Sequence, residues 1–199
     1  MKGKLGEKQQ SEGERVKFVL LTHEREYDRP SNTGQLALAA FPELCRRVRW
    51  SRIAPDEALK QACESGDALL LFPKESNLDQ ADNGESVDEA DSSVQLLAAS
   101  FLNEQNQANQ CGMLGVGQVI ILDATWQEAR KMVRQTPYLQ AARRLTLEEC
   151  KPSRYRLRRN QLSEGLCTIE CIISLMNRFG MSQAAQQLDE AFDAFMLEH

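Results

Sequence analysis

Gln118 to Arg134, QVIILDATWQEARKMVR, constrains the fold more than any other stretch, because a strand-forming run passes into a helix-forming one without space for a loop. Val119, Ile120, Ile121 and Leu122 are a continuous apolar run rich in β-branched residues, the pattern of a parallel strand covered on both faces. Asp123 ends it. Ala129, Met132 and Val133 then recur at helical spacing, with Glu128, Arg130, Lys131 and Arg134 largely on the other faces. Ligands of open α/β sheets gather at the carboxyl ends of strands, which makes Asp123 a candidate functional group. The same residues also suit a plain role, in which Asp123 or Thr125 caps the helix and Trp126 fills the core.

Strand and helix patterns alternate along the rest of the chain. Val16 to Thr22 reads as a strand and His23 to Gly34 as a polar loop. Leu36 to Leu44 reads as a short helix, Pro55 to Glu64 as another with Pro55 in its first turn, and Ala68 to Phe72 as a strand closed by Pro73. Arg46, Arg47, Arg49 and Arg52 alternate with Val48, Trp50 and Ile53. This predicts an edge strand with one basic face, either solvated or in contact with phosphate. Lys74 to Asp91 holds seven acids and one lysine, the composition of an exposed, mobile loop, and Val94 to Leu102 resumes a helical pattern. The alternation predicts an α/β fold, a mostly parallel sheet with helices on both faces. At 199 residues the chain suits a single domain over 16–199, after a flexible lead-in over 1–15. Leu166 to Phe179 and Ser182 to Phe195 are amphipathic. Ala185, Leu188, Phe192 and Phe195 form a stripe suited to the domain core or to a second subunit, so monomer and homodimer both stay open.

A net charge of −5 gives no overall basic signal for nucleic acid, so that case rests on local patches. One is dense. Arg143, Arg144, Lys151, Arg154, Arg156, Arg158 and Arg159 fall within seventeen residues that hold only two acids, Glu148 and Glu149. With Tyr155 among them, they suit an RNA backbone beside a stackable ring, or else a basic face paired with acids of the same chain. No apolar run is long enough to span a membrane and no signal-peptide core is present, which predicts a cytoplasmic protein. The six cysteines show no C-x-x-C pair and read as free thiols; no metal is expected, although Cys167 and Cys171 lie four apart. His23 suits proton transfer or a structural role. Ser31 to Gly34, SNTG, suits a helix cap, or a set of free amides for an anion or carbonyl group.

Five segments in order, HEREYDRPSNTG, LLLFP, LDATWQEARKM, YRLRR and LCTIE, resemble the DTW-domain family, whose D-x-T-W signature is here Asp123, Ala124, Thr125 and Trp126. The resemblance spans about Val16 to Phe195. It implies a SPOUT-like fold with a C-terminal trefoil knot, and S-adenosylmethionine as co-substrate without a metal. The implied reaction moves the 3-amino-3-carboxypropyl (acp) group to N3 of a uridine in tRNA. Carried over onto this sequence, Asp123 is the base. Phe72, Pro73, Leu122, Thr125, Trp126, Arg158, Leu166 and Thr168 line the cofactor pocket. His23, Arg25, Arg29, Asn32, Thr33, Gly34, Arg154, Arg156 and Arg159 are RNA-facing candidates, and Arg158 or a first-loop arginine would hold the acp carboxylate. The cysteine cluster that many members carry ahead of the domain is missing here. A SPOUT-type RNA methyltransferase and a non-catalytic RNA-binding or ribosome-assembly factor are the alternatives, and ribosomal RNA is the alternative substrate.

Overall fold

The apolar runs around Leu20, Leu70 and Ile120 form the three inner strands of one parallel sheet. The structure, a computed structural model, describes residues 16–73, 116–147, 153–156 and 166–198. The strands are β1 (Lys17–Thr22), β2 (Cys45–Arg49), β3 (Ala68–Leu71), β4 (Gln118–Asp123) and β5 (Arg143–Leu145), in the order β2-β1-β4-β3-β5. All four pairings are parallel, with Thr22 opposite Asp123 and Leu71 opposite Leu145. β5 begins inside the arginine-rich segment, where charge hides the strand pattern.

Helices cover both faces, as the inner strands' apolar composition requires. They are α1 (Glu24–Tyr27), α2 (Gly34–Ala40), α3 (Glu57–Ser65), α4 (Trp126–Gln135), α5 (Pro137–Ala141), α6 (Thr168–Arg178) and α7 (Ser182–Glu198). Because side chains alternate along a strand, Phe18 and Leu20 enter one core while Val19 and Leu21 enter the other. The first core adds Ala37 of α2, Leu175 of α6, and Leu188 and Phe192 of α7. The second adds Leu59 of α3, Met132 of α4 and Leu139 of α5. The stripe on α7 is therefore buried against its own chain, with Phe195 half-buried at its end.

Several local expectations need adjusting. Pro55 precedes the helix, because the Asp56 carboxylate accepts from Leu59 N at 2.8 Å and so caps α3. The basic edge strand stops at Arg49; Ile53, grouped with its apolar side, is 88% exposed. The first loop contains the short helix α1. The expected lead-in 1–15, the acidic segment 74–91 and the helix at 94–102 lie outside the described residues, as do 148–152 and 157–165, through which a C-terminal knot would pass. Among the described residues no helix is long and apolar enough to cross a membrane.

Gly34 shows how tightly the first face is assembled. A Cβ there would stand 2.7 Å from Leu20 Cδ2, 3.0 Å from Asn32 Oδ1 and 3.3 Å from Thr168 Cγ2. Leu20 and Asn32 are both buried, so neither can swing into solvent. Overpacking of this kind costs about 1–3 kcal/mol. Gly34→Ala is expected to lower the unfolding free energy by that amount, read as a lower urea midpoint at an unchanged slope, and an unchanged midpoint would show that α2 has slack against β1.

Candidate active site at the carboxyl ends of β1 and β4

β1 and β4 are neighbours, yet the chain leaves them in opposite directions. From β1 it passes through α2, on the first face, to β2; from β4 it passes through α4 and α5, on the second face, to β5. This divergence is a topological switch point, where open α/β sheets form their ligand crevice. Thr22 and His23 lie on one side of it, Asp123 to Trp126 on the other.

Asp123 is 1% exposed and joins three parts of the chain. Its Oδ2 accepts from Thr22 Oγ1 of β1 at 3.0 Å and from Asn32 Nδ2 of the first loop at 2.8 Å. Its Oδ1 accepts from Thr168 Oγ1, at the start of α6, at 2.9 Å. Among the described residues no cation pairs with it within 4.0 Å. The three donors are neutral, and a buried carboxylate needs such bonds to replace its water. Asn32 is held in turn: Nδ2 also donates to Glu26 O at 2.9 Å, and Oδ1 accepts from Gly34 N at 2.8 Å. Thr33 Oγ1 accepts from Ile169 N at 3.4 Å.

In the SNTG segment Gly34 N is taken by the Asn32 side chain, Gln35 N by Asn32 O and Leu36 N by Thr33 O. Asn32 thus supplies the capping oxygen at the start of α2, and these three amides are occupied within the chain.

A second group surrounds Glu128. Thr125 caps α4 in a capping box: Glu128 N donates to Thr125 Oγ1 at 3.3 Å, while Glu128 Oε2 accepts from Thr125 N at 3.1 Å and from its hydroxyl at 2.8 Å. Glu128 Oε1 lies 3.6 Å from His23 Nδ1 and 3.7 Å from Arg25 Nη1. Burial pushes the Glu128 carboxyl up, but the Thr125 bonds together with His23 and Arg25 outweigh it and hold the group below the usual range. His23 Nδ1 also accepts from Arg25 N at 3.3 Å. Its ring stacks on Trp50 with centroids 5.4 Å apart, and Trp50 Nε1 donates to Thr136 Oγ1 at 3.0 Å.

Phe72 and Trp126 make an aromatic wall at the strand ends on the side of the second core, their centroids 5.5 Å apart, with the Arg144 guanidinium 5.1 Å over the buried Phe72 ring. Leu122 and Ala124, partly buried, pack against the same core, and Pro73 ends the described part of the β3 segment. Leu166 stands two residues before Thr168, partly buried.

The expected RNA contacts divide. Arg156 is exposed. Arg154 is paired with Asp189 and, at 2.8 Å, with Asp193 of α7, so its charge is matched within the chain. Arg29 is likewise paired with buried Glu26. Tyr155 is buried, with its hydroxyl donating to Ser31 O at 2.7 Å and its ring against Phe192, and presents no face for a base. Arg158 and Arg159 lie outside the described residues. Of the cysteines, Cys45, Cys63, Cys167 and Cys171 are free thiols; burial pushes Cys45 and Cys167 up to about 12.

Sequence reasoning missed Thr22, Glu128, Trp50 and Glu170. Glu170 accepts from Ser153 Oγ at 2.6 Å, Arg154 N at 2.7 Å and Cys167 N at 2.9 Å, and so ties 153–156 to the start of α6. Its signal was the spacing from Cys167, three residues into a helix, where a carboxylate reaches back to the cap.

Glu128 yields a pH test. Because its folded pKa is depressed, its contribution is full above the unfolded value of about 4.3 and is lost as pH falls through the lower folded value. Glu128→Gln keeps an acceptor for Thr125 N and loses only the charge, so it is expected to cost less than about 1 kcal/mol at pH 7, exposed Arg25 adding little. The gap from wild type should narrow below pH 4 in urea titrations, and a pH-independent gap would assign the effect to packing.

No solved structure matches the chain. The model of the DTW domain matches residues 5–198, nearly the whole chain, and the protein therefore belongs to the DTW-domain family, the family of tRNA-uridine aminocarboxypropyltransferases.

Proposed function

We propose that this protein transfers the 3-amino-3-carboxypropyl group of S-adenosylmethionine to N3 of a uridine in tRNA, leaving methylthioadenosine. The observation that carries the chemistry is the Asp123–Thr168 pair: a carboxylate 1% exposed, reached at 2.9 Å by the hydroxyl of a partly exposed threonine. The co-substrate supplies a carbon made electrophilic by an adjoining sulfonium. Uridine N3 attacks poorly while protonated, so the protein must remove that proton. Asp123 is too deeply set to touch the base, so Thr168 relays: its hydroxyl takes the N3 proton as it passes its own to Asp123 Oδ1. N3 then bonds to the γ-carbon, and the electron pair of the broken carbon–sulfur bond leaves on the thioether sulfur.

Position selects which carbon reacts, because the sulfonium activates all three of its substituents. The Phe72–Trp126 wall, with Leu122 and Leu166, would hold the adenosyl part and leave the acp arm towards Thr168. Of the two first-loop arginines, Arg29 is committed to Glu26, whereas Arg25 is 79% exposed, with Glu128 at 3.7 Å. Arg25 therefore suits the acp carboxylate, alongside Arg158.

Purified protein incubated with S-adenosylmethionine and unmodified tRNA is expected to yield acp-uridine and methylthioadenosine by mass spectrometry. Methylated nucleoside with S-adenosylhomocysteine would replace this reading with the methyltransferase, and absence of both products, on tRNA and on ribosomal RNA alike, with the binding factor. Removing the relay by Thr168→Val is expected to lower the single-turnover rate by about 10²-fold or more, with Thr168→Ser largely active. Equal rates for wild type and valine would dismiss the relay.

A further inference from the structure

A cavity of about 400 Å³ opens beside the crevice, lined by His23, Glu24, Trp50, Arg52, Lys131 and Gln135 among others. Strand alternation places it across the sheet from Thr168. Phe18, Leu20 and Thr22 point to the first face with Asp123, while Val19, Leu21 and His23 point to the second. The two sites are nonetheless adjacent, since His23 N donates to Asp123 O at 3.1 Å.

Arg29, Arg46 and Arg154 each face a carboxylate, and Arg47 and Arg49 lie over the Tyr27 ring. Among the described residues the exposed cations Lys17 and Arg134, like Arg52 and Lys131, have no acid within 4.0 Å, so it is their place on the cavity rim that sets the last two apart. Two unmatched cations at the rim suit a phosphate, and the stacked His23–Trp50 pair suits the flat face of a base. Glu24 and Gln135 supply acceptors for base N–H groups or a ribose 2′-hydroxyl. An acid at the rim disfavours a bare phosphate and favours a whole nucleotide. We propose that this cavity docks one unstacked nucleotide of the RNA substrate, flanking the reacting uridine, with its base on the His23–Trp50 wall and its phosphate on Arg52 and Lys131. The inference rests on tRNA being the substrate, as proposed above.

The test compares steady-state transfer to tRNA by wild type, by Arg52→Glu/Lys131→Glu, and by Lys17→Glu/Arg178→Glu. The last pair makes the same charge change at the amino end of β1 and in the last turn of α6, away from the cavity. The cavity variant is expected to raise KM for tRNA by on the order of tenfold, with kcat and the KM for S-adenosylmethionine kept within about twofold. The salt dependence of RNA binding should flatten by a log–log slope of about 1.4, for two lost single-strand contacts, while the control stays near wild type. An unchanged KM, or an equal rise in the control, would overturn the inference while leaving the transferase reading intact. Inactive wild type would instead sink that reading, and an unaltered affinity of the cavity variant for tRNA in filter binding would then overturn the docking site as well.

Discussion

The Asp123 carboxylate cannot be buried alone, and much of the local architecture follows from that. A carboxylate without water needs donors, and here they come from β1, from the first loop and from the start of α6. Thr22 is close by strand register, since it lies directly opposite Asp123. Asn32 and Thr168 are 91 and 45 residues away in sequence and arrive only if loop and helix are correctly seated. The Gly34 contact with Leu20 and Thr168 brings α2 close enough for this, and the Glu170 bonds hold the segment before α6 against its first turn. A single charged group thus ties the sheet end to both neighbouring segments.

Packing supplies the frame on which those bonds are made. Alternation along the inner strands sends side chains into two separate cores, so the sheet is fixed from both faces and its carboxyl ends are rigid. The divergence of the chain after β1 and β4 leaves a crevice between those ends. The Asp123 network lies on the first face of this joint and the Phe72–Trp126 pair on the side of the second core. The capping box at Thr125 fixes where α4 begins, and with it the position of Trp126 in the first turn. Helix initiation and the placement of Trp126 are therefore one event at this joint: Thr125 caps the helix, and Asp123 turns instead to Thr22, Asn32 and Thr168.

The parallel α/β class could be read from the chain because the inner strands are apolar throughout, and α4 because Ala129, Met132 and Val133 repeat at helical period. β5 could not, since two of its three residues are arginines and its pairing with β3 depends on a partner 74 residues earlier. The importance of Asp123 was visible from its place at a strand end, but its burial was not, because the donors that permit it lie far along the sequence. The same limit applies at Arg154 and Tyr155. Composition marked a basic, aromatic cluster suited to RNA, whereas the fold brings the acids of α7 to Arg154 and turns the Tyr155 ring inward. Trp50 and Lys131, eighty-one residues apart, line one cavity that no local pattern could reveal.

The central claim is that one buried carboxylate both organises the crevice and receives the proton, and an isosteric change separates the two roles. In Asp123→Asn the amide oxygen can still accept from Thr22 and Asn32, while its NH₂ can donate to a rotated Thr168 hydroxyl, so the network keeps its bonds. The measurement is urea unfolding and single-turnover acp transfer on this one variant, side by side. The expected result is a stability within about 1 kcal/mol of wild type together with a transfer rate lowered by about 10²-fold or more. Transfer at the wild-type rate by a stably folded Asp123→Asn protein would contradict the claim and leave Asp123 a purely structural residue.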